Sequence, residues 1–233
     1  MHAVYKREMK AYFTSPIGYI VMSVMLFLMG LYFGYMYESN YSNLSFVFMS
    51  IASVALLIAP IVTMRLLSED KKQKVDQVLF TAPVKLYKIV LGKFFAAFTL
   101  FMLPFAITLV YEIILMFNTE VNWLLYISNL LGTALMGAAI ISIGLFISSL
   151  TESQIIAGIF GLVVSFFIMQ IDYFAQTVNK AWFTSICTFM SFLSRFYAFT
   201  SGKIDFSNAV FFLSITVLFI FFTNIVLDKK RWA

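Results

Sequence analysis

The side chains best suited to strong polar contacts lie together in one run of mixed charge. Its acidic and basic members follow one another without a gap: Glu69, Asp70, Lys71 and Lys72. Arg65 precedes the run, and apolar residues then return at helical spacing: Val75, Val78 and Leu79. This pattern predicts a short amphipathic helix that docks on a partner through ion pairs and an apolar anchor. The alternative is a solvated connection between two helices, which is the usual role of a charge run.

A second candidate is a single carboxyl group within a long apolar stretch. Glu112 is the ionisable residue that stands out in the segment 94–117, and it lies toward the end of that segment. A carboxyl group inside a membrane-spanning helix is by default a candidate functional site. Because Glu112 is close to the end of its segment, it could instead reach water at the membrane surface and have no function. The sequence leaves both interpretations open.

Other kinds of chemistry find no support in the sequence. Gly92 and Gly202 each precede a lysine, but neither has a glycine five residues earlier, so the G-x-x-x-x-G-K-[ST] phosphate-binding motif is absent. A single histidine, His2, and a single cysteine, Cys187, exclude a His/Cys metal cluster. We therefore expect no catalytic residue, cofactor or metal site in this chain itself.

The composition indicates what kind of protein positions these residues. Of the 233 residues, 62% are hydrophobic and 12% are charged. Soluble domains carry roughly 45–50% apolar and about 25% charged residues. The 28 Phe, 12 Tyr and 3 Trp exclude a disordered chain, and one cysteine cannot form a disulfide framework. An integral membrane protein remains.

Six segments are long and apolar enough to cross the hydrocarbon core of a membrane as helices, which takes about 20 residues each. These segments are 17–37, 44–64, 94–117, 130–147, 155–171 and 209–227. They do not alternate polar and apolar residues as the strands of a membrane β-barrel do. The sequence therefore predicts an all-α integral membrane protein with six transmembrane helices, in which residues 1–233 form a single transmembrane domain.

The basic residues are sorted between the two sides of the predicted bundle. Thirteen of the 16 Lys and Arg residues lie in the N-terminal stretch, the 65–93 connection and the C-terminal tail, and seven of these are in the connection alone. Cytoplasmic loops collect Lys and Arg, so both termini and the 65–93 connection are predicted to be cytoplasmic. The formal net charge of +5 is thus expected to set topology, and nucleic acid is not an expected partner.

Two further elements flank the predicted spans. In residues 1–16, apolar and basic side chains occupy opposite sides of a helical wheel, which suits an interface helix that ends near Ser15-Pro16. An ordinary basic flank is the alternative. The segment 172–208 is aromatic, and a seventh span there would put the basic C-terminal tail outside. An external re-entrant helical hairpin between the fifth and sixth spans is predicted instead, with an interfacial helix as the alternative.

Four short motifs recur in order along the 65–93 connection: Met64-Arg65, Glu69-Asp70, Thr81-Ala82-Pro83 and Val90-Leu91-Gly92-Lys93. In this order they resemble the cytoplasmic loop of ABC-type permease subunits of the type-2 exporter class. Further matches at 6–20, 144–157 and 192–214 extend the resemblance over essentially the whole chain, which looks most like the subgroup associated with gliding motility and copper-enzyme maturation. One departure is Lys74-Val75, where the family commonly has Gly-Thr. The docking surface is therefore expected to suit only its own ATPase.

The resemblance implies a division of labour between subunits. It implies a homodimer of six-helix permeases in the cell membrane, surrounded by lipid and driven by two copies of a separate cytoplasmic ATPase that binds ATP and Mg²⁺. The 69–82 helix would be the coupling helix, with 148–152 as a second contact. The implied ATPase-coupling residues are Arg65, Glu69, Asp70, Lys71, Lys72, Val75, Val78, Leu79, Ser149, Thr151 and Glu152. Candidates for a pathway or gate are Glu112, Arg195 and Phe196.

Two other functions stay open beside an ATP-driven exporter. One is a secondary transporter driven by an ion gradient, in which Glu112 would titrate. The absence of charged residues from the middle of every predicted span weakens this hypothesis. The other is a membrane scaffold that recruits partners and transports nothing. The chemical identity of a substrate is not encoded in any of these patterns.

Overall fold

A computed structural model describes residues 1–39, 43–74, 85–117, 121–178, 181–203 and 205–232, and every regular element within these ranges is helical. The helices are α1 (His2–Thr14), α2 (Pro16–Glu38), α3 (Ser45–Thr63), α4 (Ser68–Lys72), α5 (Leu86–Met102), α6 (Ile107–Met116), α7 (Trp123–Leu150), α8 (Gln154–Val178), α9 (Ala181–Met190), α10 (Phe192–Thr200) and α11 (Phe206–Trp232).

Six stretches of these helices are long and apolar enough to span a membrane: Pro16–Glu38, Ser45–Lys72, Leu86–Met116, Trp123–Leu150, Gln154–Ala175 and Phe206–Lys229. The predicted all-α class and the number of spans are confirmed, although the helices extend beyond most of the predicted bounds. The largest correction concerns the third span, which begins at Leu86 rather than at residue 94. Lys88 and Lys93 are therefore helical residues and do not belong to a loop.

The predicted end of the N-terminal helix at Ser15-Pro16 is confirmed. Ser15 has extended backbone angles, and Pro16 opens α2. Proline fits the first turn of a helix, where its missing N–H is not needed, but it disrupts a helix interior. Tyr12 of α1 is buried, whereas Lys6 and Lys10 are exposed, so α1 is amphipathic as predicted.

Proline also divides the third span. A short 3-10 turn, Leu103–Ala106, separates α5 from α6 and contains Pro104. Because proline lacks the N–H that a helix interior requires, the α-helical hydrogen-bond pattern gives way at this point. The other intramembrane proline, Pro60, lies inside α3, which continues through it to Thr63.

The centre of the bundle is formed by α3 and α7. In their most apolar stretches 61% of the residues are buried, against 22% in α2, α8 and α11. Glycine permits the close approach of the two central helices: a Cβ atom on Gly144 would lie 2.1 Å from Oγ1 of Thr63. The less buried helices turn large apolar side chains outward, as helices in contact with lipid do.

Between the fifth and sixth spans lies a pair of short helices, α9 and α10, of ten and nine residues. They are separated at Ser191, whose hydroxyl donates to Asp172 Oδ2 at 2.6 Å and accepts from the backbone N–H of Ser194 at 3.0 Å. α9 packs on α8, and α10 packs on α7 and α3. Among the described residues there is accordingly no seventh helix of spanning length here.

The predicted coupling helix over 69–82 lies only in part among the described residues. α4 ends at Lys72, and Lys74 has a φ angle of 57°, which lies in the left-handed region where side chains other than glycine are disfavoured. A turn therefore interrupts the helix after one and a half turns. The three predicted apolar anchors lie outside the described residues: Val75, Val78 and Leu79.

Candidate functional site

Lys93 is buried among charged groups at the start of the third span. Its side chain is 1% exposed, and its ammonium nitrogen lies 2.8 Å from Oε1 of Glu8 and 2.7 Å from Oδ2 of Asp70. The same nitrogen donates to the carbonyl oxygen of Leu66. A lysine ammonium group has three N–H donors. All three have acceptors within the protein.

Arg7 adds a second cation to this arrangement. Its Nη2 lies 2.7 Å from Glu8 Oε1 and 3.1 Å from Asp70 Oδ2. The four side chains balance in charge and are named the ion cluster below: Arg7, Glu8, Asp70 and Lys93. Removing a charge from water costs several kcal/mol, so buried charges persist only when they are paired and hydrogen-bonded. Through the ion cluster, α1, α4 and α5 are held together.

Electrostatics keep Glu8 and Arg7 of the ion cluster charged. Burial alone would raise the pKa of the Glu8 carboxyl group, but the Lys93 ammonium and Arg7 guanidinium groups outweigh burial and lower this pKa below its usual value. Burial lowers the pKa of Arg7, and the carboxylates of Glu8 and Asp70 more than compensate, so the pKa of Arg7 is raised. At neutral pH the contact between Arg7 and Glu8 is therefore ionic.

Arg65 fixes the turn between α3 and α4 against the junction of α1 and α2. Its Nη1 donates to Ser15 Oγ at 2.7 Å, and its Nε lies 3.1 Å from Glu69 Oε2. The guanidinium carbon is 5.2 Å from the centre of the Tyr12 ring. The Tyr12 hydroxyl in turn donates to the carbonyl oxygen of Val62 at 2.8 Å. The end of α3 is thus tied to α1 by a guanidinium group and a phenol.

Helix α4 is also attached to the end of α7. The backbone N–H groups of Leu67 and Ser68 both donate to Ser148 Oγ at 3.1 Å. The Lys71 ammonium group donates to the carbonyl oxygen of Ser149. Leu67 and Ser148 are 81 residues apart in the chain. The two segments for which a partner contact was predicted are therefore neighbours in the fold.

These contacts divide the residues predicted to couple to an ATPase into two groups. One group has partners within the chain: Arg65, Asp70, Lys71 and Ser149. The other group is exposed or half-buried and is named the docking face below: Glu69, Lys72, Thr151 and Glu152. Glu69 belongs to both, since it pairs with Arg65 while its side chain remains 29% exposed.

Three residues of the ion cluster were not predicted as site residues: Arg7, Glu8 and Lys93. Glu8 could have been noticed, because it lies between Tyr5 and Tyr12 on the apolar side of the α1 wheel. Lys93 interrupts an otherwise apolar stretch, but as the end of a loop it gave no signal of burial. Ser148 lies within the predicted second contact, 148–152, but its hydrogen bonds to Leu67 and Ser68 were not predicted.

Glu112 lies at the other end of the third span. It is 4% exposed and lines a cavity of about 170 Å³ together with residues of α7 and of the turns before α3 and α7. The other described lining residues are Asn43, Leu44, Asn122, Leu125, Tyr126 and Asn129. The interpretation in which Glu112 simply reaches water at the surface does not fit its burial.

Arg195 and Phe196 lie elsewhere, on α10. The guanidinium group of Arg195 donates to Asn208 Oδ1 at 2.8 Å and to the carbonyl oxygen of Phe189 at 3.0 Å. It also lies 4.2 Å from the centre of the Phe211 ring. Phe196 is buried in the main apolar core. Neither residue is among the described residues that line the cavity at Glu112.

The geometry defines a class of protein. An all-helical bundle has six apolar helices of spanning length, outward-facing apolar side chains, and a network of charges at one end that joins four helices. A soluble enzyme would not expose so many large apolar side chains. The chain is a multi-pass membrane protein.

The chain belongs to the ABC-2 transporter family. The model of this family, described as "ABC-2 family transporter protein", matches residues 10–226. No curated protein matches the chain. The matched range includes Asp70 and Lys93 of the ion cluster, the docking face and the cavity at Glu112.

Membership of this family gives the general role of the chain. It is a transmembrane permease of an ABC transporter, that is, the membrane component and not the ATPase. The family also implies partnership with an ABC ATPase subunit. The resemblance drawn from the motifs of the 65–93 connection is confirmed at this level.

Proposed function

We propose that this permease is an exporter subunit to which a separate ABC ATPase docks at the docking face. The observation that carries the proposal is the joining of α4 to the end of α7 through Ser148 and Ser149. The joining makes a composite surface from Glu69, Lys72, Thr151 and Glu152. Exposed charges of both signs on adjacent segments suit recognition by a partner with complementary charges.

The ion cluster would pass movement of the docked ATPase into the membrane spans. A displacement of α4 acts on α5 through the Asp70–Lys93 pair and on α1 through the Asp70–Arg7 pair. It acts on α7 through Ser148. ATP binding can favour one arrangement of the spans only if the ATPase contacts that arrangement better. Because α4 is attached to three helices, a change in the arrangement of the spans would move α4 and so change its contacts with the ATPase.

In this proposal the predicted coupling residues have two different roles. The internally paired residues position α4: Arg65, Asp70, Lys71 and Ser149. The docking face contacts the ATPase. Val75, Val78 and Leu79 remain the proposed apolar anchor in its groove. ATP and Mg²⁺ would bind to the ATPase.

The assembly and its orientation complete the proposal. We place both termini and the docking face in the cytoplasm, because 13 of the 16 basic residues lie on that side. The α9–α10 pair would then be external and re-entrant, with Arg195 and Phe196 near a gate. Two permease copies with two ATPase copies would form the transporter in the cell membrane. The subgroup associated with gliding motility and copper-enzyme maturation remains the proposed affiliation.

Co-purification tests the partnership. The tagged permease is co-expressed with the ABC ATPases of its own organism, purified in detergent and assayed for hydrolysis of Mg-ATP. We expect one ATPase to remain bound in equimolar amount and to hydrolyse ATP at a rate that the permease alone does not show. Failure of every ATPase to bind would reject the docking proposal.

Burial of Glu112 keeps an ion-driven carrier as the second candidate. Its Oε2 atom is buried without a hydrogen-bond partner among the described residues. A transport measurement on membrane vesicles distinguishes the two functions. Transport that requires ATP and the ATPase supports the exporter, whereas transport that follows an ion gradient in the absence of the ATPase supports the carrier.

A further inference from the structure

The cavity at Glu112 contains an unusual excess of hydrogen-bond acceptors. Among the described residues, four buried side-chain atoms lack a hydrogen-bond partner: Glu112 Oε2, Asn129 Oδ1, Ser165 Oγ and Asn224 Oδ1. The first two belong to residues that line this one cavity. A buried acceptor without a partner costs about 1–3 kcal/mol. Two such acceptors thus face one cavity with no donor among the described residues.

The hydrogen bonds around Asn129 fix which atom is left without a partner. The hydroxyl of Ser45 donates its single proton to the carbonyl oxygen of Thr200 at 2.8 Å. Ser45 Oγ must therefore accept from Asn129, whose Nδ2 lies 3.2 Å away. If the amide oxygen and nitrogen of Asn129 exchanged places, the hydrogen bond from Asn129 to Ser45 Oγ would be lost. Asn129 Oδ1 is consequently the atom that needs a donor.

The remaining wall of the cavity is formed by two asparagine amides, a tyrosine and apolar surface. Asn43 Oδ1 accepts from the N–H of Ser45, and Asn122 Oδ1 accepts from the N–H of Leu125, each at 3.2 Å. Leu44, Leu125 and the Tyr126 ring supply apolar surface. At about 170 Å³, the cavity has room for a small organic group as well as for water, since one water occupies about 30 Å³ of the liquid.

The chemistry of the wall selects among cations. A primary ammonium group has three N–H donors and no acceptor, which suits a carboxyl group and an amide oxygen that both lack donors. A quaternary ammonium group has no N–H donor and is recognised by cages of aromatic rings. Divalent metal ions are held by several carboxylates or other strong ligands. No group of three such side chains occurs among the described residues.

We infer that the cavity between Glu112 and Asn129 binds a primary ammonium group on an otherwise apolar or amphipathic molecule. The site lies roughly 28 Å from Lys93 along the helix axis, at 1.5 Å per residue, and so at the opposite end of the third span. As a subsite for transported substrate it rests on the proposed exporter function. The same ammonium chemistry occurs in soluble amines and in the headgroup of phosphatidylethanolamine.

Thermal unfolding of the full purified chain tests the site with ethanolamine as the probe. A ligand that binds only the folded state raises the unfolding midpoint as its concentration rises. We expect ethanolamine to raise the midpoint of the wild type, with sodium chloride and tetramethylammonium chloride at equal ionic strength giving no comparable rise. Glu112→Gln should weaken the apparent affinity for ethanolamine at least tenfold.

Glu38→Gln is the matched control. Glu38 ends α2 and is exposed, so this variant makes the same chemical change outside the cavity and should respond to ethanolamine like the wild type. If Glu112→Gln does not fold, Leu125→Phe tests the site in its place. The larger side chain narrows the cavity and leaves the acceptors of Glu112 and Asn129 unchanged. It should weaken the ethanolamine effect at least threefold.

Lipid nanodiscs distinguish the two sources of the ammonium group. If the natural occupant is a lipid, phosphatidylethanolamine should suppress the ethanolamine effect relative to phosphatidylcholine. If it is a soluble amine, the effect should be equal in the two lipids. An equal rise for Glu112→Gln and the wild type, or an equal rise with tetramethylammonium, would overturn the inference. None of these measurements involves the ATPase, so a failure here is distinct from a failure of the docking proposal.

Discussion

At the scale of single residues, the charges near the start of the third span matter more for their partners than for their number. The residue types in the 65–72 stretch correctly indicated a polar site, but not that Asp70 would pair with Lys93 and Arg7. Such pairs join residues distant in sequence, and no local pattern records them. The sequence also showed Glu112 as an isolated carboxyl group in an apolar segment. It did not show that Glu112 lines a cavity.

Replacement of Lys93 should destabilise the protein strongly. Lys93→Met removes the ammonium group from the carboxyl groups of Glu8 and Asp70, and breaking a buried pair in this way costs about 3–5 kcal/mol. Lys88→Met is the matched control, because Lys88 is exposed on the same helix, and its free energy of unfolding should change by about 0.5 kcal/mol or less. Denaturant unfolding in micelles measures both. Equal effects of the two variants would show that the ion cluster contributes nothing.

The ion cluster should also make stability depend on pH. The pKa of Glu8 is lowered in the folded protein, so the unfolded chain takes up this proton at a higher pH than the folded chain does. The stabilising contribution is full above the ordinary glutamate pKa of about 4.3 and is lost as the pH falls through the lowered folded value. The unfolding midpoint of the wild type should therefore fall more steeply below about pH 5 than that of Glu8→Gln. Parallel curves would contradict this assignment.

The backbone at Lys74 is expected to be strained. Its φ of 57° disfavours side chains with a Cβ atom, and a β-branched residue most of all. Lys74→Gly should leave stability unchanged or raise it by up to about 1 kcal/mol, whereas Lys74→Val should lower it by about 1–2 kcal/mol. Thermal unfolding distinguishes the pair. A more stable valine variant would show that the turn after α4 is not left-handed in solution.

At the scale of helices, the sequence predicted the presence of each span more accurately than its first residue. Apolar length and the Ser15-Pro16 pair predicted six spans and the end of α1, because these depend on local composition. The start of the third span was misplaced because Lys93 and Lys88 were counted as loop residues. A lysine is compatible with a buried helix only when carboxylates from other elements meet it. Local composition does not contain that information.

Close contact between α1 and α5 should depend on Gly92. A Cβ atom there would lie 3.0 Å from the carbonyl oxygen of Met1 and 3.0 Å from Cβ of Val4. Gly92→Leu should push α1 away and lower the free energy of unfolding by about 1–3 kcal/mol, the usual cost of overpacking. Gly34→Leu is the control, since no described atom lies within 4 Å of a Cβ atom at Gly34.

A double-mutant cycle shows whether the displaced helix also loses the ion cluster. Glu8 lies on α1, so the loss in Gly92→Leu overlaps with the loss in Lys93→Met. Their combined effect should be smaller than the sum of the two, because coupled sites are not additive. Strict additivity would mean that α1 remains paired with Lys93 after the substitution, contrary to the expected displacement.

At the scale of the whole molecule, two ends of one bundle have different chemistry. One end carries paired charges that attach α4 to α1, α5 and α7, and the other carries a cavity with acceptors that lack donors. Family membership makes the chain the membrane component of an ABC transporter. With an ATPase at the first end and a substrate group near the second, ATP hydrolysis and substrate binding would take place at opposite ends of α3 and α7.

Charge reversal at the docking face tests the central proposal most directly. Reversal of Asp70 or Lys71 would break contacts inside the chain and would confuse folding with docking. Lys72→Glu together with Glu152→Lys alters only exposed side chains, and Lys10→Glu with Glu38→Lys is the matched control. The amount of ATPase that co-purifies with each variant should fall at least tenfold for the first pair and stay unchanged for the control. Full retention of a functional ATPase by Lys72→Glu/Glu152→Lys would contradict docking at this face.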